Sequence, residues 1–290
     1  MIYRTTLLFS LYVLASWSCQ TRDSRVGEIP MDSTYFETGE IAGTVTDKRL
    51  IEASGLAHSV QNPGHFWTHN DSEGYPSVYL IDQKGQIRIT VRLEGVVNVD
   101  WEDITIDHKY LYVGDIGDNR ATRPVVYIYK FREPLLGQND SITIGLEEWE
   151  QMKITYQNGS RDAETLMFDH QTGELIIVSK RDENGLIYSF PFSVGEQTIE
   201  PQAEIKLTQF TGGDISRSGE ILLKNYDAIF YWSASDKSTI SRMRNGPDCR
   251  LNYIQEPQGE AITFDRTGSF FTLSEHNTYT LQKLYIYKKK

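Results

Sequence analysis

Short runs in which apolar and polar residues alternate recur along this chain, separated by turns rich in Gly, Asn and Asp. The cleanest is Ile87-Arg88-Ile89-Thr90-Val91-Arg92-Leu93, which alternates at every position. A period of two marks a half-buried β-strand. Four such runs, at 54–58, 66–68, 78–82 and 87–93, are joined by the turn chemistry of Asn62-Pro63-Gly64 and Gln83-Lys84-Gly85. Together they predict one unit of four short antiparallel strands.

The unit returns four times. Its second copy runs through 102–107, 110–113, 125–129 and 152–156, with an insertion at 134–150 in which 146–151 reads as a short helix. The third covers 164–169, 175–178, 186–188 and 203–207. The fourth covers 214–216, 221–223, 229–232 and 249–254. The fifth has only three runs, 260–265, 270–273 and 284–287. First strands opening at residues 54, 102, 164, 213 and 260 are spaced 48, 62, 49 and 47 apart. A second column of apolar–aromatic pairs marks the third strands: Val78-Tyr79, Val126-Tyr127, Ile187-Tyr188, Ile229-Phe230 and Leu284-Tyr285.

Self-similarity at this period indicates an array or a propeller. One isolated run, 40–45, precedes the first unit, and the last unit lacks its fourth strand. A propeller closes its ring when the N-terminal strand completes the last blade, leaving no long free edge. The strand around Ile41 is therefore expected beside Tyr285. The predicted fold is an all-β propeller of five four-stranded blades. Six blades is the alternative if the insertion after Tyr129 holds further strands, and a β-sandwich is the plain alternative to a ring.

The N-terminus stands apart from this pattern. Arg4 and the apolar stretch 7–15 resemble a bacterial lipoprotein signal, which ends here at Ser16-Trp17-Ser18-Cys19. The stretch is too short to span a bilayer as a mature helix. The expected organisation is a signal peptide at 1–18, a polar tether at 19–34 with a lipid on Cys19, and the propeller at 35–290. The lipid would be the chain's only attachment to a membrane, placing an exported protein at the bacterial cell envelope. The other cysteine, Cys249, sits in a strand pattern with no disulfide partner and reads as a structural thiol. A monomer is expected.

Composition narrows the partners. The 290 residues carry a formal net charge of −11, which argues against nucleic acid or anionic lipid. The basic run at 288–290 reads as a solvated tail.

Propeller geometry places the polar residues. The loop entering a first strand and the loop leaving a second open on the same face. In these loops stand Glu102, Asp115, Asp118, Glu164 and Glu260, expected to hold a divalent metal with calcium as the candidate ion. His69, Asp71, Trp101, Lys180, Arg181, Lys224, Asp214, Glu275 and His276 are expected to contact a small polar or sugar-like ligand. Turns on the opposite face read as ordinary. The structural alternative is that the glutamate column braces backbone N–H groups of neighbouring strands. The chain has no Gly-x-Ser-x-Gly elbow, His-Glu-x-x-His, Cys-x-x-Cys or phosphate-binding glycine loop.

Several stretches resemble a family of exported bacterial β-propellers: Ser54-Gly55-Leu56-Ala57, Trp67-Thr68-His69-Asn70-Asp71-Ser72, Asp100-Trp101-Glu102-Asp103, the segment 113–119, and Gly259-Glu260-Ala261. That resemblance implies the fold and export, and no particular reaction. The acidic column alone is similar to phytase-like and gluconolactonase-like propellers, which implies calcium and carboxylates at a channel mouth. Two functions are thus expected. The first is binding of a polar ligand or divalent metal at one face of the channel. The alternative is metal-dependent hydrolysis of a phosphorylated, lactone or carbohydrate substrate.

Overall fold

A computed structural model describes residues 24–72, 74–137, 139–276 and 279–290. The signal stretch and Cys19 lie outside the described residues.

The chain forms five blades around one axis. Strand β1 (Glu40–Val45) comes first and waits for the last blade. Blade I contains β2 (Ala53–His58), β3 (His65–Asn70), β4 (Ser77–Asp82) and β5 (Ile87–Leu93). Blade II contains β6 (Trp101–Ile106), β7 (Tyr110–Asp115), β8 (Val126–Arg132) and, after the short strand β9 (Ser141–Ile144), β10 (Trp149–Tyr156). Blade III contains β11 (Ala163–Asp169), β12 (Glu174–Ser179), β13 (Gly185–Phe190) and, after β14 (Gly195–Ile199), β15 (Ala203–Ile205). Blade IV contains β16 (Phe210–Ile215), β17 (Ile221–Asn225), β18 (Ile229–Trp232), the helix α1 (Thr239–Arg244) and β19 (Cys249–Leu251). Blade V contains β20 (Gly259–Phe264), β21 (Phe270–Ser274) and β22 (Gln282–Tyr287).

The ring closes as the repeat count requires. Strand β1 pairs antiparallel with β22, with Ile41 opposite Tyr285, and completes blade V. The inner strands β2, β6, β11, β16 and β20 follow one another around the axis, and β20 returns against β2. The core is divided accordingly. Each of five apolar clusters lies between two neighbouring blades; the cluster joining blades V and I includes Val45, Phe66, Phe271 and Leu284.

Three features depart from the sequence pattern. The stretch 146–151 forms no helix; it turns into β10, while β9 from the same insertion pairs parallel with β5 of blade I. Likewise β14, an excursion from blade III, pairs parallel with β10 of blade II. Each excursion gives the preceding blade a fifth, outermost strand. The segment expected as a tether is docked from Arg25 onward. Val26 is buried between blades III and IV, Arg250 N donates to Pro30 O at 2.8 Å, and Phe36 packs edge-on against Phe270 at 4.9 Å. None of the described helices is long and apolar enough to cross a membrane.

Candidate metal centre at one mouth of the channel

Every inner strand carries a register break near its start. The breaks fall between Ala53 and Leu56, Trp101 and Asp103, Ala163 and Thr165, Phe210 and Gly212, and Gly259 and Ala261. A bulge inserts an unpaired residue and re-aims its side chain. The residues so placed are Ser54, Glu102, Glu164, Thr211 and Glu260. In blade IV the equivalent position is therefore Thr211, two residues before the expected one. A second column starts just after the second strand ends: Asp71, Ile116, Lys180, Tyr226 and Glu275. These two columns build the mouth.

The mouth divides into two halves. In one, charge is matched by a hydrogen-bonded chain. Lys180 is buried, ion-paired to Glu164, and donates to Tyr226 Oη at 3.0 Å. Tyr226 donates in turn to Glu260 Oε1 at 2.6 Å. Burial alone would lower the Lys180 pKa, but the Glu164 carboxylate beside it, acting together with Tyr226, Glu260 and Glu102, outweighs this and holds the ammonium protonated. Arg181 Nε pairs with Asp162 at 2.6 Å, and Asp162 Oδ1 accepts from Asp118 N at 2.8 Å.

The other half lacks such partners. Asp71, Asp100 and Glu102 offer oxygens that lie within 4.8 Å of one another. Glu102 is 3% exposed, and its carboxylate accepts no hydrogen bond among the described residues. Asp71 Oδ1 is buried and unpartnered. Burial first, and repulsion from Glu260 and Asp100 second, push Asp71 up to about 8. Asp100 rises to about 6 for the same two reasons, with Asp162 the main repelling neighbour. Glu102 is raised well above the carboxylate range by burial and by Glu164 and Asp71. Close by, Glu275 is pushed up to about 8 by burial, then by Glu260 and Asp71.

Gly117 shapes this half, since a Cβ there would overlap the Glu102 and Asp100 carboxylates. A second group, Glu102 with Asp162 and Glu164, also brings its oxygens within 4.8 Å, but Lys180 and Arg181 already pair with two of its members. Oxygen-only donors of this kind suit hard cations such as calcium, magnesium or manganese.

The remaining expected residues have other surroundings. Asp115 pairs with Arg123 Nη2 at 2.6 Å and accepts from Asp100 N. Asp118 caps its own loop, accepting from Thr122 N at 2.9 Å and Arg123 N at 2.7 Å. Trp101 is fully buried in the core between blades I and II, with His69 edge-on at 5.8 Å. His69 is itself fully buried, which lowers its pKa to about 4 and keeps it neutral; its Nδ1 meets Asn70 O at 2.9 Å. His276 is exposed, and no interaction joins it to His69 among the described residues. Lys224 is buried against Gly259 O and over the Tyr253 ring at 4.8 Å; burial lowers its pKa to about 8. Asp214 lies toward the far end of its strand. It braces blade V there, accepting from Phe264 N at 2.8 Å and Thr263 Oγ1 at 3.0 Å.

Asp100, Asp162 and Tyr226 were not among the expected site residues. For the two aspartates a signal exists, because each stands two residues before a bulge glutamate. Tyr226 carries none.

No family model matches the chain, and no curated protein matches it. Solved structures do. A glutaminyl cyclase from Myxococcus xanthus is similar with a TM-score of 0.53 and 10% identity, covering 89% of this chain and 99% of that one. A gluconolactonase from Xanthomonas campestris has a TM-score of 0.46 and 11% identity, covering 90% and 97%. A Thermus thermophilus protein described as a putative oxidoreductase (glucose dehydrogenase) has a TM-score of 0.46 and 9% identity, covering 87% and 99%. At these identities the likeness bears on the fold alone.

Proposed function

We propose that this propeller binds a divalent cation, calcium foremost, at the Asp71–Asp100–Glu102 corner of the channel mouth, and that the mouth receives a small polar ligand. One observation carries the reading. Among the described residues, three neighbouring carboxyl groups make no ion pair and accept no hydrogen bond, while Glu164, Asp162 and Asp115 beside them are matched to Lys180, Arg181 and Arg123. Burying like charges together is costly unless protons or a metal neutralise them. The direct test is equilibrium dialysis of metal-stripped protein against calcium. One ion per chain, lost in Asp71→Asn, supports the reading; no bound calcium, magnesium or manganese at millimolar concentrations overturns it.

Metal-dependent hydrolysis is the second reading, favoured by the raised pKa values of Asp71 and Glu275, both about 8. Such groups hold a proton near neutrality and suit general acid–base work. A bound cation would supply Lewis-acid chemistry there. Screening a phosphate monoester, a sugar lactone and an aryl glycoside with added calcium separates the readings, since turnover abolished by Asp71→Asn requires the enzyme. A cell-envelope lipoprotein anchored through Cys19 completes the proposal; palmitate labelling that disappears in Cys19→Ala tests it.

A further inference from the structure

The second mouth of the channel has a different chemistry. Six residues beyond each bulge position stand Val60, His108, His170, Arg217 and Arg266. Four of these five are basic side chains, in a protein whose net charge is −11. They occupy the turns between first and second strands, roughly 20 Å along the inner strands from the carboxylates.

A cavity of about 280 Å³ opens there, lined by Val60, His58, His170, Arg217 and Arg266, with Ala57, Ile106 and Phe264 as its apolar wall. Both arginines are exposed at the rim, and among the described residues neither guanidinium makes an ion pair or hydrogen bond. The two carboxylates on the wall are already engaged. Asp214 accepts from Ile215 N, Phe264 N and Thr263 Oγ1, and Asp265 accepts from Thr267 N and Oγ1. His170 Nδ1 is buried without a partner, and its ring lies 5.7 Å from that of His108.

We propose that this cavity is a binding site for a small organic anion, one that presents a phosphate or carboxylate group to Arg217 and Arg266 and an apolar body to the wall. A planar guanidinium binds such oxyanions bidentately, and two unpaired ones at one rim form a clamp. His58 and His170 serve as neutral hydrogen-bonding groups, because burial lowers both pKa values to about 4. The site is independent of the cation reading at the other mouth.

The test uses protein stripped of metal on a chelating resin, so that no ion bridges a ligand to the acidic mouth. Phenyl phosphate and benzoate are titrated separately at low salt by calorimetry, which tells phosphate from carboxylate preference. Saturable binding of at least one probe is expected. Arg217→Gln and Arg266→Gln, both exposed, are each expected to weaken it roughly tenfold. The exposed Lys206→Gln serves as a charge control and should bind as wild type. The proposal is overturned if neither probe binds saturably, or if the two arginine variants keep their melting temperature and bind as tightly as the control.

Discussion

Ring closure is the structural premise beneath both mouths, and removing the N-terminal segment tests it. Three chains are compared, starting at residues 24, 39 and 46. Starting at 39 removes Val26 and Phe36, which are 6% and 3% exposed, but keeps β1. Each buried side chain of that size contributes about 1.5–3 kcal/mol, so this chain should lose about 3–6 kcal/mol. Starting at 46 also removes Val45, 3% exposed, and the ladder that pairs Glu40–Val45 with β22. That brings the loss to about 5–9 kcal/mol before the ladder is considered, comparable with the whole net stability of a domain. The longest chain should melt cooperatively, the second at lower temperature, and the shortest should show no cooperative transition by circular dichroism. If the chain starting at 46 melted within a few degrees of the chain starting at 24, blade V would not depend on β1, and the closed ring would be wrong.

Two further outcomes follow from the mouth. Asp71 and Glu275 keep protons up to about pH 8 in the folded state, and Glu256, buried near Lys224, up to about 7, whereas the unfolded chain releases them near pH 4. Their contribution to stability is present at low pH and lost as pH rises through 7–8. His58, His69 and His170, lowered to about 4, act oppositely below pH 6.5. The melting temperature of metal-free protein should therefore fall between pH 6.5 and 8, and saturating calcium should flatten that slope; a rising slope contradicts the raised carboxyl pKa values. Lys180→Met leaves Glu164 buried without its cation and should cost about 3–5 kcal/mol in urea denaturation. Calcium should restore much of this, because Glu164 then joins Glu102 and Asp162 as a free ligand group; a loss unaffected by calcium would show Lys180 to be structural only.

The strands and their closure were legible in the sequence because a side-chain period of two is strong and local. Tyr285 was expected beside Ile41, and the two pair. Register was harder. A slip of one residue exchanges the faces of a strand, but a slip of two leaves the pattern unchanged. Hence Gly213 stood in for Thr211, and Val126-Tyr127 for Ile128-Tyr129, whose Ile128 faces Gly114 as Val78 faces His69. The outer strands β9 and β14 were missed because they pair with a preceding blade, a contact that no local period records. Residue types alone did not separate the two mouths, since Asp214 lies at the far end of its strand and Trp101 in the core. Which carboxylate had a partner depended on side chains far apart in sequence, such as Glu164 with Lys180 and Tyr226 with Glu260.

The proposed function rests on divalent-cation binding by Asp71, Asp100 and Glu102. Thermal melts of wild type and Glu102→Gln at neutral pH, each in chelator and in calcium, test it most directly. At a calcium concentration 100 times the dissociation constant, binding stabilises the native state by about 2.7 kcal/mol, roughly 5–10 °C for a domain of this size. Glu102→Gln keeps the size and removes a buried carboxyl group that no donor among the described residues satisfies and that must give up its proton to bind a cation, so it should melt no lower than wild type in chelator. A tenfold weaker site would keep roughly half the calcium shift, so the variant should show half or less. Equal calcium shifts in the two proteins, or none in wild type, would contradict the account.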